Sequence, residues 1–102
     1  MQRFPFTVWR TPLVPDGFAA WVPCKRQVWV APNTVVTPRL MAHEIAHLIQ
    51  AENAVWPLAY VIQWAATGFS YTNMPFEVEA RAAERDETML AWARDVLAGF
   101  EA

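Results

Sequence analysis

Residues 43 to 47 read His-Glu-Ile-Ala-His and contain both histidines of the chain. On a helix, positions i and i+4 share a face, so the two imidazoles can reach one metal ion at about 2.1 Å from each ring nitrogen. Glu44 is turned to the side of that face. It sits beside such an ion rather than on it, where a carboxylate serves as general base toward a metal-activated water. Chance makes the arrangement rare: shuffling a chain of two His and seven Glu yields it roughly once in 750 trials. The neighbours Leu40, Met41, Ile45, Ala46, Leu48 and Ile49 are uncharged, as a dry shell around a metal requires.

A zinc ion that does chemistry usually has three protein ligands and an open position. No third histidine exists. Asn53 stands where an extended His-Glu-x-x-His-x-x-Gly-x-x-His motif would place one, and Gln50 replaces its glycine. The segment Pro75-Phe-Glu-Val-Glu-Ala-Arg81 offers two carboxylates instead. Glu77 and Glu79 point about 200° apart on a helix, so one of them faces a neighbouring helix and the other does not. Glu77, three residues before Ala80 on the small-residue face, is favoured as the ligand. Glu79 remains the alternative. Cys24, in Pro23-Cys-Lys-Arg26, reads as a plain thiol.

These residues need elements to hold them. Thr37 suits a helix cap and Pro38 a first helical position, and apolar spacing carries that helix to about Glu52. A short helix is expected from Pro57 through Leu58 to Trp64, with Gly68 as its stop. A long helix is expected from Pro75 to about Ala98, capped by Thr72 or Asn73, with Glu77–Arg81 as a supporting i,i+4 pair. Ahead of them, Phe6–Arg10 and Gln27–Ala31 read as strands, and Phe18–Val22 as a middle strand closed by Pro23. Pro15-Asp-Gly17 marks a turn. The expected fold is α+β: a small, three-stranded, mostly antiparallel sheet, then an active-site helix, a short helix and a long helix. All of it belongs to one domain, 1–102.

Composition narrows the classes. With 18% charged and 14% aromatic residues the chain is not a disordered one, and one Cys excludes a disulfide scaffold. A net charge of −2 gives no electrostatic footprint for nucleic acid. The N-terminus has no continuous apolar core and is broken by Pro5, so no signal peptide is read and a cytoplasmic location is expected. Residues 53–76 carry no charge, but Pro57, Gln63, Gly68, Ser70 and Asn73 interrupt them. A buried short helix plus loop is expected there, with a membrane- or partner-facing lobe as the alternative.

His43-Glu-Ile-Ala-His47 followed by Glu77-Val-Glu-Ala80 resembles the gluzincin metallopeptidases, and the short length and Asn73-x-Pro-Phe-Glu context look most like the minimal soluble members, the minigluzincins. The resemblance covers roughly residues 27 to 85. It implies a small sheet above an active-site helix and a "glutamate helix" that supplies the third zinc ligand. By position it implies zinc on His43, His47 and Glu77, with Glu44 as the base in hydrolysis of a peptide or protein substrate. Such enzymes often add a donor for the oxyanion. Tyr71 is preferred here because it precedes the glutamate helix, with Tyr60 and Arg81 as alternatives. Strand Gln27–Ala31 would form the upper rim of the cleft and pair with an extended peptide, and Trp21 or Trp29 would shape a subsite. One departure stands out: Arg81 occupies the position where these families often carry an Asp that orients a ligand histidine. Arginine has no acceptor, so a backbone carbonyl or Glu84 must do this. The segment before Gln27, if it crossed the cleft, would keep such an enzyme latent. The competing reading is a zinc-binding module of the same fold, weakly active or inactive, docking to a membrane or larger assembly.

Overall fold

A computed structural model describes residues 2–100. Three strands lead the chain, β1 (Thr7–Arg10), β2 (Ala20–Cys24) and β3 (Gln27–Val30). Four helices follow, α1 (Pro38–Glu52), α2 (Leu58–Ala66), α3 (Pro75–Ala83) and α4 (Glu87–Phe100).

The α+β class is as expected, but the sheet is mixed. Its order is β1-β3-β2, with β3 antiparallel to β2 and parallel to β1. Successive strands do reverse direction. The β2–β3 hairpin turns tightly through Lys25 and Arg26, the latter at φ 59°, and folds β3 into the gap between β1 and β2. The second strand of the chain is therefore an edge, and the expected rim strand, β3, is the centre. Paired on both sides, β3 cannot take a peptide. The edge strands are β1 and β2, and β2 continues through Pro23 with a register shift between Trp21 and Cys24.

Helix α1 lies between two layers of core. Its Leu48 and Ala51 pack under Ala20, Val22, Val28 and Val30 of the sheet. Its Met41, Ala42, Ile45 and Ala46 pack against Ala80 and Ala83 of α3 and Met89, Leu90, Trp92 and Ala93 of α4. Small residues on α3 let its backbone come close to α1, which brings the side chains at its start over the His-Glu-Ile-Ala-His turn. The Thr37 side chain caps α1 by accepting from the Leu40 N–H at 3.1 Å, with Pro38 at the first position as expected.

The long third helix is two helices. Asp86 accepts from the N–H groups of Thr88 and Met89 at 2.9 and 3.2 Å, which caps a new start at α4. The break leaves Glu84 at the end of α3. Neither Thr72 nor Asn73 caps α3. Its N-cap residue is Met74, and the Phe76 N–H donates instead to the Gln63 side chain of α2 at 2.8 Å. The Glu77–Arg81 pair does not form: Arg81 donates to the Thr72 carbonyl, while Glu77 is taken up by other partners. The short helix α2 has no buried residue, so the expected buried helix turns its apolar side outward. Among the described residues no helix is long and apolar enough to cross a membrane.

Candidate metal centre

His43 and His47 project from one face of α1, one turn apart, and their ring centroids are 5.1 Å apart. Their Nε2 atoms converge on a single oxygen of Glu77, at 3.0 Å from His43 and 2.9 Å from His47. Glu77 is only 1% exposed. The favoured carboxylate is thus the one that faces the histidines. Glu79 accepts instead from the Gln50 amide at 3.0 Å and is one step removed.

The second ring nitrogens are held as well. His43 Nδ1 lies 2.9 Å from a Glu84 carboxylate oxygen, and His47 Nδ1 lies 2.8 Å from Gln50 Oε1. The Gln50 orientation follows from its amide N–H₂, which donates to the Phe76 carbonyl and to Glu79. Its oxygen must then accept, so His47 Nδ1 carries a proton. Glu84 is the acceptor for His43; it keeps helical backbone angles at the end of α3 and, two turns after Glu77, lies on the same face. Gln50 was not expected to take part. Its place on the histidine face of α1, three residues after His47, is the signal that could have found it.

Each ring nitrogen faces an acceptor oxygen, which makes both imidazoles N–H donors on both sides. Burial of His43 disfavours its charge, but the hydrogen bonds to Glu77 and Glu84 outweigh this and raise its pKa to about 9. For His47 burial again opposes the charge, and the Glu77 bond again wins, so its pKa is also raised. Glu77 shows the reciprocal effect: burial works against its charge, but the two imidazoles hold it well below the usual carboxylate range.

The Tyr60 hydroxyl donates to the second Glu77 oxygen at 2.9 Å, and Tyr71 stands near enough for the Glu77 charge to act on it. Burial first, and the nearby Glu77 carboxylate after it, raise both phenols above their ordinary pKa, so both stay protonated. Tyr71 borders the cleft, whereas Arg81 lies on its Thr72 contact. Trp21 borders the cleft too; Trp29 does not, and donates to Gln27.

Glu44 is buried, and its Oε2 has no hydrogen-bond partner. Burial raises its pKa, and the nearby imidazoles pull it back down. A desolvated carboxylate oxygen without a partner is costly unless a cation or a proton donor comes to it. Ligand atoms of His43, Glu44 and His47 lie within 4.8 Å of one another. Glu44 is thus near the donors, but the carboxylate in contact with both Nε2 atoms is that of Glu77, and two imidazole nitrogens with that carboxylate are a set that suits zinc. In a tetrahedral zinc site neighbouring donors stand about 3.3 Å apart. The Nε2 to Glu77 distances of 2.9 and 3.0 Å are within a few tenths of that. The residues therefore fit the ion: an N–H proton on each Nε2 occupies the place a metal would take, and Glu84 and Gln50 keep the opposite nitrogens protonated, which is the tautomer a ligand histidine needs.

No family model matches the chain, and comparison with curated proteins and with solved structures found no match.

Proposed function

We propose that the chain is a zinc-dependent metallopeptidase of the gluzincin kind. His43, His47 and Glu77 would hold the ion, with Glu84 and Gln50 orienting the two imidazoles. When bound, zinc supplies Lewis acidity toward water and toward the scissile carbonyl. Glu44 takes the proton of the attacking water and delivers it to the leaving amine, a role for which its desolvated, partnerless oxygen is suited. Tyr71, a protonated donor at the edge of the cleft, stabilises negative charge developing on the substrate oxygen. The observation that carries this reading is the convergence of both Nε2 atoms on Glu77 beside the unpartnered Glu44 oxygen. Its test is casein or peptide hydrolysis by the zinc-loaded chain. Cleavage that a chelator abolishes and added zinc restores supports it; a zinc-loaded chain with no cleavage of any peptide pool contradicts it.

A second reading is favoured by α2. Leu58, Val61 and Ile62 are 52–60% exposed, and Val55 and Phe69 more so, in a stretch without charge. Such a face suits a zinc-binding module that docks to a membrane or a larger assembly. Flotation with liposomes by a chain that binds zinc but cleaves nothing would favour it.

A further inference from the structure

Helix α2 is amphipathic in reverse. Helical spacing puts Tyr60 and Gln63 on one side and Leu58, Val61, Ile62 and Ala65 on the opposite side. The polar side is the one turned inward. The Tyr60 hydroxyl donates to Glu77, and the Gln63 side-chain oxygen accepts from the Phe76 N–H. Leu58, Val61, Ile62 and Ala65 are exposed, and no residue of α2 belongs to either core cluster. Polar contacts with α3 thus fix the helix and leave its apolar side unpartnered.

The loop after α2 enlarges that side. The Phe69 N–H donates to the Trp64 carbonyl at 2.9 Å, and Phe69 is held at φ 61°, in the left-handed region that a bulky residue rarely takes. Its ring packs edge to face on Trp64 at 5.1 Å, and both rings stay exposed. Val55 adds to the face one turn before Leu58. The exposed fractions of Val55, Leu58, Val61, Ile62, Trp64 and Phe69 leave roughly 500–700 Å² of apolar surface in water, against about 300–600 Å² for the largest patch on a typical monomer. Two copies set face to face would bury roughly 1,000–1,400 Å² from these residues alone, which reaches the range of a specific interface, about 1,200–2,000 Å² in total.

Charge and spacing favour a second copy over a bilayer. No charged residue occurs from 53 to 76, so the face meets its own image without like-charge contact, and charge is what the core of an interface excludes. Lipid headgroups are engaged instead by Lys and Arg beside an apolar helix face, and this stretch has neither, in a chain of net charge −2. Leu58, Val61, Ile62 and Ala65 also follow the i, i+3, i+4, i+7 spacing of a stripe that packs against another helix. A two-fold axis maps one patch onto itself. Across two antiparallel α2 helices that axis passes beside Ile62, the middle residue of Leu58–Ala66.

We propose that this face binds a second copy of the chain, with the two α2 helices packed antiparallel about a two-fold axis beside Ile62. The inference holds for either reading of the zinc centre. The full chain and its Ile62→Glu and Ile62→Lys variants are compared by sedimentation equilibrium over a wide range of concentration, with circular dichroism as the check on folding. The mass of the wild type should rise with concentration from 11.6 kDa to twice that value. Ile62 is 60% exposed, so both variants should keep the wild-type fold. Each variant alone sets like charges together at the axis and should stay monomeric, whereas the two mixed in equal amounts bring opposite charges together and should dimerise at least about tenfold more tightly than either alone. Wild type that is monomeric at every concentration would overturn the proposal, as would a dimer equally tight in wild type and Ile62→Glu. A monomer that floats with neutral phosphatidylcholine vesicles would overturn it in favour of a bilayer on the same face. A dimer that Ile62→Glu dissolves and the mixture restores would support it even in a chain that cleaves no peptide, so its failure and that of the peptidase reading are told apart.

Discussion

Replacing Glu77 by Gln keeps the shape of the side chain and removes the charge on which the centre turns. In the metal-free protein one Glu77 oxygen accepts from both imidazoles, at 3.0 and 2.9 Å, and the other accepts from Tyr60 at 2.9 Å. The amide has only one acceptor oxygen, and it presents N–H groups to donors. The imidazoles then sit buried without their counter-charge. Breaking a buried ion pair on one side costs about 3–5 kcal/mol. That is a large part of the roughly 5–15 kcal/mol that holds a domain together. Chemical denaturation of metal-free Glu77→Gln should therefore show a midpoint far below wild type. Zinc affinity, measured by competition with a chromogenic chelator, should fall by more than the ~10–100-fold that follows from loss of a group that merely orients a ligand. Glu79→Gln is the control. It disturbs only the acceptor of the Gln50 amide, one step behind His47, so its zinc loss should stay within that ~10–100-fold range. Zinc affinity unchanged in Glu77→Gln and abolished in Glu79→Gln would refute the assignment of the third ligand.

The remaining predictions concern the supports of the site and its protonation. Glu84→Ala and Gln50→Ala each leave one ring nitrogen without its acceptor, and each should weaken zinc binding by about 10–100-fold in the same competition assay, with the fold retained. Thr37→Ala removes the cap of α1 and should lower stability by about 1 kcal/mol in urea melts, with the metal stoichiometry unchanged. His43 is raised in the folded metal-free chain from 6.5 to about 9, so the stability it contributes is complete below pH 6.5 and is lost as pH rises through 9. Glu77 is lowered from 4.5, so its contribution is present above that pH and is lost on acidification below it. Metal-free denaturation midpoints should accordingly be highest between about pH 4.5 and 6.5 and decline toward pH 9. Zinc must displace the Nε2 protons, so titration calorimetry at pH 7 in buffers of different ionisation enthalpy should show proton release on binding.

The parts of this arrangement set by short-range chemistry were legible in the sequence. Thr37-Pro38 defines the start of α1 because the cap and the proline act locally, and the spacing of His43 and His47 needs only helical geometry. The preference for Glu77 over Glu79 followed from one tertiary assumption, that Ala80 and Ala83 mark the packed face, and the structure bears that out. What was not legible depends on contacts between distant segments. The insertion of β3 between β1 and β2 leaves no trace in strand periodicity, so the expectation of Gln27–Ala31 as an open rim strand failed. The break between α3 and α4 turns on Asp86, whose capping of Thr88 and Met89 outweighs the helical apolar pattern that runs across it. The cap of α3 comes from Gln63, thirteen residues upstream, which no local capping signal reveals. Helix α2 is as apolar as a core helix, and what leaves it exposed is that neither core cluster extends to it.

The central claim, a zinc site with Glu44 as its working base, is tested most directly by comparing wild type with Glu44→Gln for zinc content and peptide cleavage in the same preparations. Glu44 contributes no ligand in this account, so both proteins should retain about one zinc per chain. Cleavage should fall by roughly 10²–10⁴-fold in the variant. Cleavage of equal rate in both proteins, or wild type that takes up no zinc, would contradict it.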